Sequence, residues 1–474
     1  MREIPKDQIL RRMQTENVWW KAHRINPAYD EMTRRAYFDL LLPLVRERGL
    51  RRAVLLMGPR RVGKTVLMHH VIQHLLGEGV DPRRVGYLSV DHPIFNGCGL
   101  EDLMGYCSEA SGVDYRTEPC FLFFDEVQYL KEWEVHLKTL VDTYPNVKFV
   151  ASGSAAAALR LKSNESGAGR FTDFLLPPLT FHEYLTLLGE GGLVRPEGWK
   201  VEDLALLNER FVHYLNFGGY PEVIFSELIQ SDPVRFVKGD IIDKVLLRDL
   251  PGLYGIQDIQ ELNYLFTTLA FNTADEVSLE QLSRSSGVAK NTIKRYIEYL
   301  EAAFLLKTVH RIDRTSRRFQ RANFFKVYLT NPSMRSALFS PITADDPAMG
   351  SLAETGIYSQ WFHVPAPLHY ARWKGGEVDI VSVGPNLKAA WAVEVKWSDR
   401  FWDQPGELRS LVEFSRANVL ERVKVTTRTA SGTRTLDGLR IDYVPASLYC
   451  FMVGYQLVHA RRDRPDTFHL VEPG

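Results

Sequence analysis

Ala53-Val-Leu-Leu-Met-Gly-Pro-Arg-Arg-Val-Gly-Lys-Thr-Val66 is a short apolar run that breaks at Gly58 and restarts as a helix. Apolar residues recur after it at helical spacing, at Val66, Leu67, His70, Val71, His74 and Leu75. A strand, a glycine-bounded turn and a helix in that order form a phosphate cradle. The glycines let backbone N–H groups curl around phosphate oxygens at the positive end of the helix. The stretch assigns nucleotide contact to Gly58, Pro59, Arg60, Arg61, Val62, Gly63, Lys64, Thr65 and Val66. Lys64 reaches the β- and γ-phosphates, and the Thr65 hydroxyl ligates Mg²⁺. Arg60 and Arg61 either help to hold phosphates or extend into solvent.

Downstream, Phe121-Leu-Phe-Phe124 is a buried strand that ends in Asp125-Glu126. A carboxylate at a strand's C-terminal edge holds Mg²⁺ opposite Thr65, and the next one polarises the attacking water as a general base. A third strand, Val147-Lys-Phe-Val-Ala151, runs into Ser152-Gly-Ser154, where a hydroxyl at Ser152 or Ser154 reports the γ-phosphate. Strands alternating with helices imply a parallel sheet covered on both faces.

Composition bounds the rest. Lys+Arg and Asp+Glu each total 58, which excludes a uniformly basic coat but permits a local basic patch. Apolar residues at 45% and charged residues at 24% can bury several cores, and the length suggests about three domains. No apolar run is long enough to span a membrane, and Met1–Asp7 has no apolar leader core. The four cysteines show neither zinc spacing nor a C-x-x-C pair, so reduced thiols in a cytoplasmic protein are expected. Residues 1–50 read as charged amphipathic helices carrying a Trp19-Trp20 pair.

The order of these motifs resembles the AAA+ ATPases. It is similar to a bacterial and archaeal branch with G-P-R-x-V-G-K-T and D-E-[IV]-Q, seen here at Gly58–Thr65 and Asp125–Gln128. Gly169-Arg170, the Leu176–Tyr184 stretch and the Gly218–Pro221 turn also match. The resemblance implies a homo-oligomer, in the form of a ring, and an arginine reaching each site from a neighbouring subunit. Arg170 is the candidate for that arginine, with Arg248 a second sensor candidate. It also implies an uncharacterised C-terminal domain with landmarks at Lys326–Pro332 and Gly350–Glu354, where Asn331 replaces the usual aspartate.

Val277–Leu306 has helix-turn-helix punctuation: Leu279 and Leu282 on one face, Gly287 at the turn, and Ile293, Ile297 and Leu300 inward. Lys290, Asn291, Lys294 and Arg295 then face outward, types suited to phosphates and base edges. A basic stretch follows at Arg311, Arg314, Arg317, Arg318, Arg321 and Lys326, resembling the wing of a winged helix. Such a module either contacts DNA or packs against protein.

In Gly376-Glu-Val-Asp379 and Ala392-Val-Glu394-Val-Lys396, the alternation of a strand puts Glu394 and Lys396 on one face. An aspartate facing Glu-x-Lys resembles the PD-(D/E)xK nuclease fold. Asp379 and Glu394 would hold Mg²⁺ there, Lys396 would position the attacking water, and Glu354 would be a fourth member.

The expected fold is α/β: an AAA+ P-loop parallel sheet with a helical lid, a winged-helix module and a small α/β nuclease-like domain. The boundaries fall at 1–50 for N-terminal helices, 51–190 for the ATPase core, 191–260 for the lid, 261–325 for the winged helix and 326–474 for the nuclease-like domain. The expected function is Mg²⁺-dependent ATP hydrolysis coupled to DNA binding or remodelling, with DNA cleavage by the C-terminal domain left open. The alternative is an ATP-gated signalling or assembly switch with a non-catalytic protein-binding platform at its C-terminal end.

Overall fold

A computed structural model describes residues 5–154, 169–317, 323–362, 364 and 368–463. The chain divides into two compact units, Met1–Leu176 and Pro177–Gly474.

The first unit is built on five strands: β1 (Ala53–Met57), β2 (Val85–Ser89), β3 (Cys120–Asp125), β4 (Val147–Gly153) and β5 (Phe171–Leu175). They form one parallel sheet in the order β2-β3-β4-β1-β5. Every residue of β1, β3 and β4 is buried, as expected of parallel strands covered by helices on both faces. Crossovers between β1 and its non-adjacent successors bring Gly58–Thr65, Asp125 and Ser152–Ser154 to the same C-terminal edge.

The edge strand β2 is closed by side chains rather than by another strand. The Asn17 amide donates to Tyr87 O at 2.8 Å and accepts from Tyr87 N at 2.7 Å. The indoles of Trp19 and Trp20 both donate to Val85 O at 2.9 Å, and Ser89 N reaches Glu16 Oε2 at 3.4 Å. Residues 85, 87 and 89 are the outward-pairing positions of β2, so Glu16 and the three side chains just after it cover most of the free edge, with Pro82 O and His92 N taking Val85 N and Ser89 O. Asn17→Ala leaves the Tyr87 N–H and C=O without their side-chain partner. A loss of about 2 kcal/mol in unfolding free energy is expected, read from the denaturant midpoint.

The second unit carries a small hairpin, β6 (Val194–Arg195) with β7 (Lys200–Val201), and one mixed nine-stranded sheet. Its strands are β8 (Glu276–Ser278), β9 (Leu306–Ile312), β10 (Phe324–Leu329), β11 (Leu368–Trp373), β12 (Gly376–Val383), β13 (Ala389–Glu394), β14 (Arg422–Thr427), β15 (Gly432–Leu436) and β16 (Leu439–Pro445). Their order is β15-β16-β14-β13-β12-β11-β9-β10-β8. The helix-turn-helix reading corresponds to helices Leu279–Ser286 and Lys290–Ala302, joined through Gly287 at φ +74°. The antiparallel pair β9–β10 follows them and is continuous with the rest of the sheet, because β9 lies parallel to β11. Residues 325 and 326, on either side of an expected boundary, are neighbours within β10.

One apolar core gathers Phe181, Tyr184, Leu207, Phe211 and Leu215 with Tyr370, Ile380 and Val393 and with Tyr449–Val453. The helices expected as a lid therefore share their core with the C-terminal helix Ala446–Asp463. Gly219 approaches Asn331 so closely that a Cβ would lie 2.5 Å from its Oδ1, which explains the glycine in the Gly218–Pro221 turn. Trp391 stacks on Trp361, Trp397 donates to Ala344 O at 2.9 Å, and Trp402 meets the Tyr443 ring edge-on. All three indoles serve packing.

Cys107, Cys120 and Cys450 are buried free thiols and Cys98 is half-buried. Burial pushes Cys107 and Cys120 up to about 12. Among the described residues no helix is long and apolar enough to cross a membrane.

Candidate nucleotide site

Gly58–Thr65 turns from β1 into helix Lys64–Gly77. Gly63 lies at φ +91°, a region that side chains strain to enter. A Cβ on Gly58 would sit 2.2 Å from Leu176 O, so that position admits only glycine. Arg35 braces the turn from outside, donating to Val62 O at 2.7 Å. Lys64 is buried and curls under the loop, donating to the carbonyls of Gly58 at 3.1 Å and Pro59 at 2.8 Å. Burial lowers its ammonium, while Glu126 and Asp125 oppose that shift. Arg60 is half-buried within electrostatic reach of Lys64 and Glu126, whereas Arg61 is exposed.

Asp125 is the hub. Its Oδ2 accepts from the Thr65 hydroxyl at 2.6 Å and the Tyr87 phenol at 2.8 Å, and its Oδ1 accepts from the Ser152 hydroxyl. Ser152 in turn accepts from Glu126 N at 3.2 Å, which locks the end of β3 to the end of β4. Glu126 takes the left-handed conformation at φ +58°, a strained geometry for a non-glycine residue. Gln128 donates to Glu126 Oε2 and accepts from Ser154 N at 3.2 Å. Burial pushes the Glu126 carboxyl up from its ordinary range, and Lys64 pulls it back. The Ser154 hydroxyl is buried with no hydrogen-bond partner among the described residues, so of the two serines it is the one with capacity to spare.

Thr65, Asp125 and Glu126 open on a cavity of about 450 Å³. Its other walls include Arg12, Glu16, Asn26 and Tyr29 from the N-terminal segment, and His69 from the P-loop helix. His69 stacks on Tyr29 at 4.2 Å and His70 contacts Tyr29 O at 2.8 Å, so the two histidines do not form a metal pair. Tyr87 and the N-terminal wall are contributions that motif reading does not reach. Only the DEVQ pattern signals Gln128.

Arg170 lies away from this edge. Its backbone O accepts from Ala53 N at 2.9 Å, at the opposite end of β1, and its guanidinium pairs with Asp142. Arg248 is exposed on the segment Val245–Asp249 of the second unit.

The second unit gathers its own polar cluster. Lys326 is only 3% exposed and bonds Glu354 at 2.9 Å, Glu377 at 2.8 Å and Asp379 at 3.6 Å. Lys396 bonds Glu394 at 2.7 Å and Asp379 at 3.2 Å. Tyr328 donates to Glu354 at 2.5 Å, and Val395 N to Asp379 at 2.8 Å. Asp379, Glu394, Lys396 and Glu354 thus converge, and Lys326, Tyr328 and Glu377, which lie inside the Lys326–Pro332 and Gly376–Asp379 stretches without a role assigned from sequence, join them. Burial pushes Glu354 and Glu394 up to about 7, with neighbouring Asp379 adding to the shift and the lysines opposing it. The carboxylates face ammonium groups, and among the described residues no three His, Cys, Asp or Glu side chains are arranged to hold a metal ion.

On the helix-turn-helix, Asn291, Lys294 and Arg295 are exposed, while Lys290 pairs with Glu280 at 2.6 Å. Arg314 and Arg317 are exposed as well. Arg311 is turned inward to Glu276 at 3.6 Å and to Arg372 O at 3.0 Å. Arg318 and Arg321 lie outside the described residues. Lys326, grouped by sequence with this basic stretch, faces the acidic cluster because β10 alternates it inward.

Residues 50–185 match the family model described as an AAA domain, and residues 208–346 match a domain of unknown function (DUF8612). An uncharacterized protein of Methanocaldococcus jannaschii is 26% identical over 396 residues, covering 76% of this chain and 79% of its own. An uncharacterized protein of Haemophilus influenzae is 23% identical over 288 residues, covering 59% and 68%. Among solved structures, the Aeropyrum pernix ORC1 protein in complex with DNA is 13% identical, with TM-score 0.31, over 66% of this chain and 94% of that one. AMPPCP-bound DnaA from Aquifex aeolicus is 16% identical, with TM-score 0.30, over 58% and 92%. The P-loop geometry and the domain match together establish that the first unit carries an AAA-type P-loop ATPase domain.

Proposed function

We propose that this chain hydrolyses ATP with Mg²⁺ and couples that hydrolysis to DNA through its second unit. The observation that carries the reading is the Asp125 hub: one carboxylate joined to Thr65 and Ser152, with Glu126 beside it and Lys64 in electrostatic reach. Thr65 and Asp125 are a hydroxyl and a carboxylate at hydrogen-bond distance on a polar cavity, a donor set that suits Mg²⁺. Bound there, the ion would neutralise charge on the phosphate oxygens. Lys64 leaves the loop carbonyls for the β- and γ-phosphates, Glu126 takes the proton of the attacking water, and Ser154 senses the γ-phosphate. Arg170 is the arginine that a neighbouring copy would present in a homo-oligomeric ring, in the cytoplasm.

Asn291, Lys294, Arg295, Arg314 and Arg317 support DNA contact as exposed groups on a winged-helix-like module, with Lys290 available once it leaves Glu280. Turnover is expected to require Mg²⁺ and to rise several-fold with duplex DNA. The triple replacement of Asn291, Lys294 and Arg295 by Ala should abolish the rise and flatten its salt dependence. Turnover indifferent to DNA would leave the ATPase in place and move the chain to the second reading, an ATP-gated switch.

The lysine-filled cluster of the second unit favours that second reading for the nuclease-like domain. Its carboxylates are neutralised from within, so we derive no cutting step there. In the same assay with Mn²⁺ the DNA should stay intact. Cutting that Asp379→Ala removes would restore Asp379, Glu394, Glu354 and Lys396 as a nuclease site.

A further inference from the structure

The cavity beside Thr65, Asp125 and Glu126 has an unusual charge inventory. Its acidic walls are Glu16, Asp91, Asp125 and Glu126, and Arg12 is the only Lys or Arg among the described residues that line it. Arg12 lies one helical turn before Glu16 and holds it through two bonds, of 2.9 Å and 2.6 Å. The Arg12 side chain is 34% exposed and that of Glu16 only 6%. Helix Lys6–Glu16 is positioned by the Asn17, Trp19 and Trp20 bonds to β2 and by Lys6 on Glu109 at 2.6 Å. Arg12 is therefore a guanidinium held by Glu16 on the wall of the cavity that Thr65, Asp125 and Glu126 share, in a segment lying before residue 50, where the family match begins.

We infer that Arg12 acts in cis on the γ-phosphoryl group, exchanging Glu16 for phosphate oxygens when nucleotide enters. This inference rests on the ATP-hydrolysing reading. In hydrolysis the water oxygen bonds to the terminal phosphorus while the bond to the bridging oxygen breaks. The diphosphate leaves with that electron pair, and the water proton passes to Glu126. Negative charge grows on the γ- and bridging oxygens beside acidic walls, so a planar two-pronged cation there stabilises the transition state more than bound ATP. On exchange Glu16 keeps the bond from Ser89 N to its other oxygen, at 3.4 Å, and burial, which already raises its carboxyl, favours its taking up a proton. The Arg12–Glu16 pair is then the resting position of a charge that the substrate draws away.

The test uses the full chain as Arg12→Ala, Arg12→Gln and Arg12→Lys, with thermal midpoints taken alongside. Fluorescent ATP and ADP analogues report affinity, and phosphate release reports turnover. Arg12→Ala should lower kcat about 10- to 1,000-fold while changing ADP affinity less than about threefold. Arg12→Gln, which can still bond Glu16, should fold as the parent does yet share the defect. Arg12→Lys should recover only part of the rate, because a point charge lacks the fork. Mixing Arg12→Ala with Lys64→Ala subunits should restore nothing, since a cis residue cannot be supplied by the neighbour.

Parental turnover in Arg12→Ala or Arg12→Gln overturns the inference, as does recovery on mixing. Glu126→Gln in parallel separates the two claims. If Glu126→Gln is slow and Arg12→Ala is fast, only the inference fails. If neither variant changes turnover, the hydrolytic reading of the site itself has failed.

Discussion

Glu126→Gln should bind ATP with near-parental affinity and turn it over about 100-fold more slowly, a loss of roughly 3 kcal/mol in transition-state stabilisation. In the proposed reading phosphate binding falls to the Gly58–Thr65 loop and Lys64, and Lys64 donates to the Gly58 and Pro59 carbonyls. The backbone of residue 126 is held independently of its side chain, by Asp125 Oδ1 at 3.1 Å and Ser152 Oγ at 3.2 Å. Glutamine keeps the shape, and its carbonyl oxygen can still accept from Gln128, so the strained turn at φ +58° survives. What it loses is the capacity to take a proton. Burial has already raised the Glu126 carboxyl, which makes it a stronger base than a free glutamate and enlarges the penalty for removing it. Equilibrium binding of a fluorescent ATP analogue and single-turnover phosphate release check the two halves separately. Parental turnover would strip Glu126 of the role of base.

The parts of this site that sequence makes legible are those where a contiguous motif and its geometry coincide. Gly58–Thr65, Asp125-Glu126 and Ser152–Ser154 each end a fully buried strand, and parallel topology brings strand ends together without further information. The helix-turn-helix is legible for a similar reason, since its punctuation is local. Contacts made by single polar residues across long separations are not. Asn17 pairs with Tyr87 as a side chain imitating a strand, and nothing in its neighbourhood distinguishes it from a surface asparagine. Arg12 and Glu16 look like an ordinary i,i+4 helix pair. Lys326 belongs by sequence to a basic stretch, yet β10 turns Lys326 and Tyr328 toward Glu354 through period-2 alternation. That signal was available, because Lys326 and Tyr328 alternate as Glu377 and Asp379 do on β12. Only the pairing of β9 with β11 reveals that the two runs belong to one sheet.

Lys326→Met should strongly destabilise the second unit, costing about 3–5 kcal/mol. The Lys326 side chain is 3% exposed and serves Glu354, Glu377 and Asp379 at once, so its removal leaves the buried Glu354 without its counter-charge and leaves Asp379 to Lys396 and Glu377 to Arg372. Methionine fills most of the volume, which assigns the loss to charge rather than to a cavity. The pH dependence follows from Glu354. Its carboxyl titrates at about 7 in the fold against 4.5 ordinarily, so between those values the folded state binds more protons than the unfolded one. Protonation therefore favours folding, and the contribution is lost as pH rises through 7. Without Lys326 the ionised form becomes costlier still. The gap between variant and parent should widen from pH 5 to pH 8, as read by denaturant unfolding at each pH. A second change, Glu354→Gln in the Lys326→Met background, removes that stranded charge while keeping an acceptor for Tyr328. It should recover part of the stability at pH 8 and little at pH 5. A penalty independent of pH, with no recovery in the double variant, would mean that Lys326 contributes by packing its stem and not by neutralising the acidic cluster.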